Sequence, residues 1–236
     1  MMAQTKGLAL AEKTFTPALG RSGLTGAYDL AIRLLTRERA WRTALLEQVA
    51  PRDGEAIIDV GCGTGSFAIL MKQWAPGSRI VGLDPDPDVL ARAEAKAKRE
   101  GVVIEWRQGY ASDAAASGKR FDKTVSSLVF HQIPMPGKRS GIAAMLAALK
   151  PGGQLNIADY ALQESLVMRS LFRLTVQCLG GVADTQPNAD GAIEAILTEI
   201  SGSSVIPQRV VPTLTGAISP VHGGGSKGLI TRTNCR

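Results

Sequence analysis

Ile57-Ile58-Asp59-Val60-Gly61-Cys62-Gly63-Thr64-Gly65 is the stretch that decides the fold. It reads as a short apolar strand with an acidic residue near its end, then a turn of alternating glycines. Ser66-Phe67-Ala68-Ile69-Leu70-Met71 continues it as a helix. Glycine at 61, 63 and 65 lets the backbone turn where a side chain would block a ligand's approach. The helix behind the turn aims its first N–H groups into the same space. Strand, glycine turn and helix in that order predict a ligand cradle at the carboxyl end of a parallel strand.

The glycine spacing narrows the ligand. A dinucleotide fingerprint is G-x-G-x-x-G, whereas this turn is G-x-G-x-G with an acid ahead of it. A P-loop needs Lys and then Ser or Thr after its last glycine, and here Ser66 and Phe67 follow Gly65. No cation therefore supports a phosphate. The next apolar run, Arg79-Ile80-Val81-Gly82-Leu83, ends in Asp84. An acid at the tip of the second strand suits two ribose hydroxyls. A ribose-bearing ligand without a pyrophosphate is the economical reading.

These segments resemble the class I S-adenosylmethionine-dependent methyltransferases. Asp59 to Gly65 resembles their first motif and Gly82-Leu83-Asp84 their ribose-binding motif. Phe121-Asp122-Lys123-Thr124-Val125-Ser126-Ser127-Leu128-Val129-Phe130-His131 resembles the fourth strand and its exit. Leu149-Lys150-Pro151-Gly152-Gly153-Gln154-Leu155 resembles the turn into the fifth strand. Tyr28-Asp29, Leu34-Leu35 and Trp41-Arg42 resemble the N-terminal helix of the ubiquinone/menaquinone C-methyltransferase-like group. The resemblance covers roughly residues 45 to 160, plus that helix.

The resemblance implies S-adenosylmethionine as cofactor and assigns residues to it. Gly61, Cys62, Gly63 and Gly65 would lie against its methionine part. Asp59 would hold its ammonium group, or else cap the loop's own N–H groups. Asp84, followed by Pro85, would take the ribose hydroxyls, with Asp86 as the cap of the next helix. Tyr110, Ala111, Ser112 and Asp113, after Gly109, would surround adenine, although the family's acid is shifted here to Asp113. Leu128 or Val129 would line the methyl-transfer channel, and Tyr28 would close over the cofactor's carboxylate as a lid. His131, directly after the fourth strand, would be a general base or a hydrogen-bonded residue behind one. No metal ligand set is expected.

Composition fits one globular α/β domain. The chain has 236 residues, 44% of them hydrophobic, enough for a good core. No charge-free apolar stretch of about 18 residues is present, so no membrane span is expected. Met1 to Lys6 lack a signal-peptide pattern, and Cys62, Cys178 and Cys235 lack metal spacing. A cytoplasmic setting is the default expectation.

The net charge of +6 is carried partly by Arg33, Arg37, Arg39 and Arg42 and by Lys96, Lys98 and Arg99. Solvated helix faces explain such runs, and an anionic membrane surface or nucleic acid is the sharper reading. Aromatic residues make up only 5% and are not interleaved with the basic ones, against a single-strand platform.

The layout predicts a doubly wound, mostly parallel seven-stranded Rossmann-like sheet with an N-terminal helical lid. Expected boundaries are a flexible arm at 1–22, one domain at 23–222 and a flexible tail at 223–236. The cofactor half spans about 45–160 and the acceptor half about 161–222. Helices are expected at 28–48, 86–100, 140–149, 162–179 and 193–200, with strands at 102–107, 123–129 and 155–158. The last two strands are expected at 205–211 and 213–219.

Leu166, Met168, Leu171, Phe172, Leu174 and Leu179 offer an apolar roof. A small, apolar, lipid- or quinone-like acceptor and in-line transfer follow from the resemblance. Phe130-His131-Gln132-Ile133-Pro134 stands where family members acting on base or amide nitrogens carry Asn/Asp-Pro-Pro-Tyr/Phe. The alternatives are a cofactor-binding protein without catalysis, an RNA or DNA methyltransferase and, against the glycine spacing, a nicotinamide dehydrogenase.

Overall fold

A computed structural model describes residues 36–115, 118, 120–201, 207 and 209–224. One seven-stranded sheet organises the chain. Its strands are β1 (Ala56–Val60), β2 (Arg79–Asp84), β3 (Glu105–Gln108), β4 (Phe121–Ser127), β5 (Leu149–Tyr160), β6 (Val211–Thr213) and β7 (Gly216–Gly224). Their spatial order is β3-β2-β1-β4-β5-β7-β6. The first five are parallel, and β7 runs antiparallel to both β5 and β6. Strand order reverses between β1 and β4, which places a ligand crevice at their carboxyl ends.

The helices are α1 (Glu38–Val49), α2 (Ser66–Trp74), α3 (Pro87–Arg99), α4 (Met135–Ala147), α5 (Leu166–Phe172), α6 (Val182–Ala189) and α7 (Ala192–Ser201). Two apolar clusters sandwich the sheet. Trp41, Leu45, Val49, Ile57, Phe67, Met71 and Phe172 belong to one, and Ile58, Val81, Phe121, Phe130, Ile142, Ile157 and Leu197 to the other. Alternate residues Ile57 and Ile58 enter opposite clusters, as a strand buried on both faces requires. Helix α1 docks near β5 and β7, where Gln48 Nε2 donates to Asn156 Oδ1 at 3.1 Å and to the Val221 carbonyl at 3.1 Å.

The sequence boundaries need correction at several places. Strand β3 begins at Glu105, because the Val102 N–H donates back to Ala97 O at 3.0 Å and Val103 is solvent-exposed. Strand β4 ends at Ser127, and β5 is longer than expected.

The expected 162–179 helix starts only after Ser165, whose Oγ caps the Met168 N–H at 3.1 Å. It widens into a π-turn at Arg173–Gln177, where the Thr175 hydroxyl donates to Leu171 O at 2.6 Å. Helix α6, with Pro187 inside it, was not anticipated.

The terminal hairpin is shifted toward the carboxyl end. Pro212 sits in edge strand β6, where a missing N–H costs little. Thr213 Oγ1 ties the turn by donating to Gly216 O and accepting from the Thr215 N–H. Strand β7 continues through Gly223 and Gly224, into the stretch expected to be tail. Tyr28, Asp29, Arg33, Leu34, Leu35, the 1–22 arm and residues beyond 224 lie outside the described residues.

Candidate functional site

The glycine turn joins β1 to α2. Gly61, Gly63 and Gly65 all hold left-handed φ values of 70°, 53° and 72°. The three have different neighbours. A Cβ on Gly61 would come within 2.4 Å of Val129 Cγ2, and one on Gly65 within 2.4 Å of the Trp106 indole. A Cβ on Gly63 would meet nothing within 4 Å. Two of the glycines serve close packing, and the third keeps an open cradle. A cleft of about 230 Å³ occupies that space, lined among others by Trp41, Arg42, Thr64, Ser127, Leu128 and Val129.

The turn satisfies its own N–H groups. Gly61 and Cys62 donate to Leu83 O, and Gly65 donates to Cys62 O. Gly63 donates to Asp84 Oδ2 at 2.9 Å. Asp59, fully buried beneath the loop, therefore does not cap it. Neither of its carboxylate oxygens has a hydrogen-bond partner among the described residues. Burial raises its pKa from 3.8 to about 7, with Asp84 adding to the shift and Arg42 opposing it. Helix α1 brings Arg42 into the site, and the same Arg42 pairs with Glu38 at 2.5 Å. A buried, orphaned carboxylate beside an open cradle is an acceptor waiting for a cationic donor.

Asp84 terminates β2 on the other side of the cleft. It accepts the Gly63 N–H with one oxygen and the Asp86 N–H with the other, at 2.9 and 3.0 Å. It is thus less free than the sequence suggests, but each oxygen keeps a second lone pair. Burial raises its pKa, and the two backbone N–H groups hold it down. Asp86 caps α3 as expected, accepting from Asp88 and Val89, with Pro87 in the first turn.

The 108–113 segment folds back onto this corner. Gly109 donates to Asp84 O at 3.0 Å, and Gln108 Nε2 donates to Pro85 O at 3.2 Å. Asp113 accepts the Tyr110 N–H at 2.7 Å, so its carboxylate closes a 3₁₀ turn over Ala111 and Ser112. That contact gives the acid expected near adenine a structural task of its own. Cys62 packs under Gly82, and burial pushes its thiol up, so it remains a protonated packing group.

The exit of β4 carries backbone strain. Leu128 has φ 54°, although it is neither glycine nor asparagine, and its N–H donates to Ala158 O at 2.8 Å. Such outliers persist where the surroundings over-determine them, often in ligand clamps. His131 follows in a 3₁₀ turn, with Nδ1 2.8 Å from Asp159 Oδ1 at the end of β5.

Trp41 and Arg42, read from the sequence as part of the helix that resembles the family's lid, line the cleft, and Trp106, which the sequence did not assign to the site, packs behind it against Gly65 and Gly82. Arg42 stands both in that helix and in the basic run Arg33, Arg37, Arg39 and Arg42. Trp106 lies in a strand whose apolar–polar alternation said nothing of a cofactor. The apolar roof also needs correction, because Leu166, Leu174 and Leu179 are 83%, 73% and 65% exposed and only Phe172 is fully buried. A second cavity of about 430 Å³ lies at the amino ends of the strands, between Gln48, Lys123 and Lys150. Its lysines are paired with Glu55 and Asp122. It lies at the wrong end of a parallel sheet for the cofactor.

Residues 57–153 match the profile of a family described as a methyltransferase domain. The chain is 30% identical over 177 residues to a ubiquinone biosynthesis O-methyltransferase of Methylobacterium nodulans, covering 74% of this chain and 67% of that protein. This chain belongs to the class I S-adenosylmethionine-dependent methyltransferases. It is 32% identical over 152 residues to a demethylmenaquinone methyltransferase of Deinococcus radiodurans, covering 64% of this chain but only 62% of that relative's length. Among solved structures, magnesium protoporphyrin IX methyltransferase from Synechocystis with bound S-adenosylhomocysteine shares the fold. Its TM-score is 0.65 at 19% identity, over 87% of this chain and 90% of that one. The cofactor of this methyltransferase family is S-adenosylmethionine, and the orphaned Asp59, the open Gly63 cradle and the Asp84 corner are chemically suited to it.

Proposed function

We propose that the chain transfers a methyl group from S-adenosylmethionine to a small, apolar, quinone-like acceptor. The observation that carries this reading is the buried Asp59 carboxylate, which has no hydrogen-bond partner among the described residues, set beside the cradle that Gly63 leaves open. Bound there, S-adenosylmethionine would supply an electrophilic methyl group on sulfur. Asp59 would hold the ammonium group, Asp84 the ribose hydroxyls, and the turn of Gly61, Cys62, Gly63 and Gly65 the methionine chain. Pro85 and residues 110–113 would flank adenine. Leu128 would line the channel toward the acceptor. Tyr28, as a lid, belongs to the proposal alone. The protein's task is alignment of the reacting atoms, with His131 as the candidate proton acceptor.

The acceptor class rests on the relatives named for quinone methylation. Incubation with methyl-labelled S-adenosylmethionine and a panel of quinols, phenols and phospholipids tests it. Label appearing in a quinol supports the reading, and label confined to added RNA would overturn it.

The exposed apolar face of Leu166, Val167, Leu174 and Leu179, with Arg173 exposed among them, supports a peripheral contact with an anionic bilayer in a cytoplasmic setting. No helix among the described residues is long and apolar enough to cross a membrane. Flotation with anionic vesicles should carry the protein upward, and Leu174→Glu should weaken that recovery. Recovery unchanged in the variant would remove this face as the contact.

A further inference from the structure

The larger of the two cavities, about 430 Å³, shares no lining residue with the cofactor cleft. A bulge shapes one wall of it. β4 and β5 pair at Phe121 and Leu149 and next at Lys123 and Gln154, so β5 carries residues 150–153 past the register of its neighbour. Gly153 lets this bulge lie against β4, because a Cβ there would stand 2.9 Å from the Asp122 carbonyl oxygen. Gly152 turns with φ 77° and has open space where a side chain would be. The opposite wall is the carboxyl end of α1, Gln48 to Val49, and the turn after it.

The charges on these walls do not balance. Arg52, Lys123 and Lys150 face Glu55 and Asp122, which leaves one positive charge uncompensated. Both acids are already engaged. Glu55 Oε2 accepts from Lys123 Nζ at 2.7 Å and from the Arg52 N–H at 2.9 Å. Asp122 accepts from Lys150 Nζ at 2.9 and 2.8 Å and from the Ala56 N–H at 2.8 Å.

Donors are left over. Lys123, only 8% exposed, uses two of its three N–H groups, on Glu55 and on the Ala50 carbonyl at 3.0 Å. Lys150 Nζ has Asp122 as its one acceptor among the described residues, and the Arg52 guanidinium has none among them. Behind Gln48, the fully buried Asn156 gives its Oδ1 to Gln48 Nε2, and its Nδ2 has no acceptor among the described residues. Surplus donors and one surplus positive charge call for an anion rich in acceptor oxygens. The guanidinium fork matches a carboxylate, and a single negative charge balances the walls. No aromatic side chain lines the cavity, so a nucleobase has no face to stack on. The volume exceeds what a bare carboxylate fills and leaves room for hydroxyl groups.

We propose that this cavity is a binding site for a small hydroxylated monocarboxylate, such as a sugar acid. Its carboxylate meets Arg52 and Lys150, and its hydroxyls meet Lys123, Gln154 and the Gly152–Gly153 backbone. The site goes beyond the methyl-transfer reading and stands without it, because the two cavities lie at opposite ends of the strands.

Sodium gluconate exchanged for sodium chloride at constant ionic strength, followed by backbone amide NMR of the full chain, tests the inference. Saturable shifts should gather at Lys123, Gly152, Gly153 and Gln154 and leave Gly61 and Gly63 of the cofactor turn in place. Arg52→Gln and Lys150→Gln change side chains that reach solvent, so both variants should fold, and each should weaken gluconate by about threefold or more. Acetate should bind at least roughly tenfold more weakly than gluconate for want of hydroxyl contacts. Sorbitol, which has the hydroxyls and no charge, should give no saturable shift. Gluconate that leaves these four residues unmoved, or that binds both variants as it binds wild type, overturns the site. Sorbitol or acetate equal to gluconate overturns the ligand class, as does inorganic phosphate binding more tightly at the same residues. None of these results bears on whether S-adenosylmethionine binds at the other end of the sheet.

Discussion

Replacing Asp59 by Asn should make the protein more stable above neutral pH and a poorer binder of its cofactor. The carboxyl is fully buried without a hydrogen bond among the described residues, and its pKa rises from 3.8 to about 7. Between those values the native state holds a proton that the unfolded state has released. Stability therefore falls as pH rises toward 7, and the contribution of the bound proton is gone above it.

For one such group the loss between about pH 5 and about pH 8 is roughly 2–3 kcal/mol. The assay is urea unfolding of wild type and Asp59→Asn at both pH values, since the difference between the two proteins cancels the other titrating groups. Wild type should lose roughly 2–3 kcal/mol more than the variant over that range. The same carboxylate must be ionised to hold an ammonium group, so wild-type affinity for S-adenosylmethionine should rise through neutrality and that of the variant should not. Parallel pH dependences of the two proteins would refute the reasoning.

The glycines of the turn should separate by their surroundings. Gly63→Ala meets no neighbour, so thermal unfolding should show only its φ strain, about 1 kcal/mol, while calorimetric affinity for S-adenosylmethionine falls at least roughly tenfold as the cradle fills. Gly61→Ala, with its Cβ driven into Val129, should cost about 1–3 kcal/mol beyond that strain, and Val129→Ala in the same chain should return part of it. Lys138→Met removes the donor to the Phe130, Ile133 and Asp184 carbonyls and should lower unfolding stability by about 1–3 kcal/mol, with S-adenosylhomocysteine affinity, read by calorimetry, near wild type.

The cofactor half of the fold was legible because its signals are local. Ile57 to Met71 is a complete strand–turn–helix instruction, and Asp84 and Asp86 sort themselves into corner and cap within three residues. The carboxyl-terminal half was harder to read because its decisive interactions are non-local or exceptional. A Ser165 cap, a threonine bonded back within its helix, a proline inside α6 and a threonine-tied hairpin each override the apolar periodicity. The site divided in the same way. Residues of the glycine turn could be found from spacing and Trp41-Arg42 from the resemblance of their helix, whereas Trp106 meets the glycine turn only through tertiary packing. Asp159 carried no sequence signal beyond its place at the end of a strand, and its partner His131 lies 28 residues earlier.

Calorimetric titration with S-adenosylmethionine and S-adenosylhomocysteine, beside Asp84→Ala and with NAD as control, tests the central claim most directly. The account predicts binding of both ligands in the micromolar range, weakened at least roughly tenfold in the variant by loss of charge-assisted hydrogen bonds, and no response to NAD. Binding of NAD in their place, or no binding of either sulfur ligand to folded protein, would contradict it.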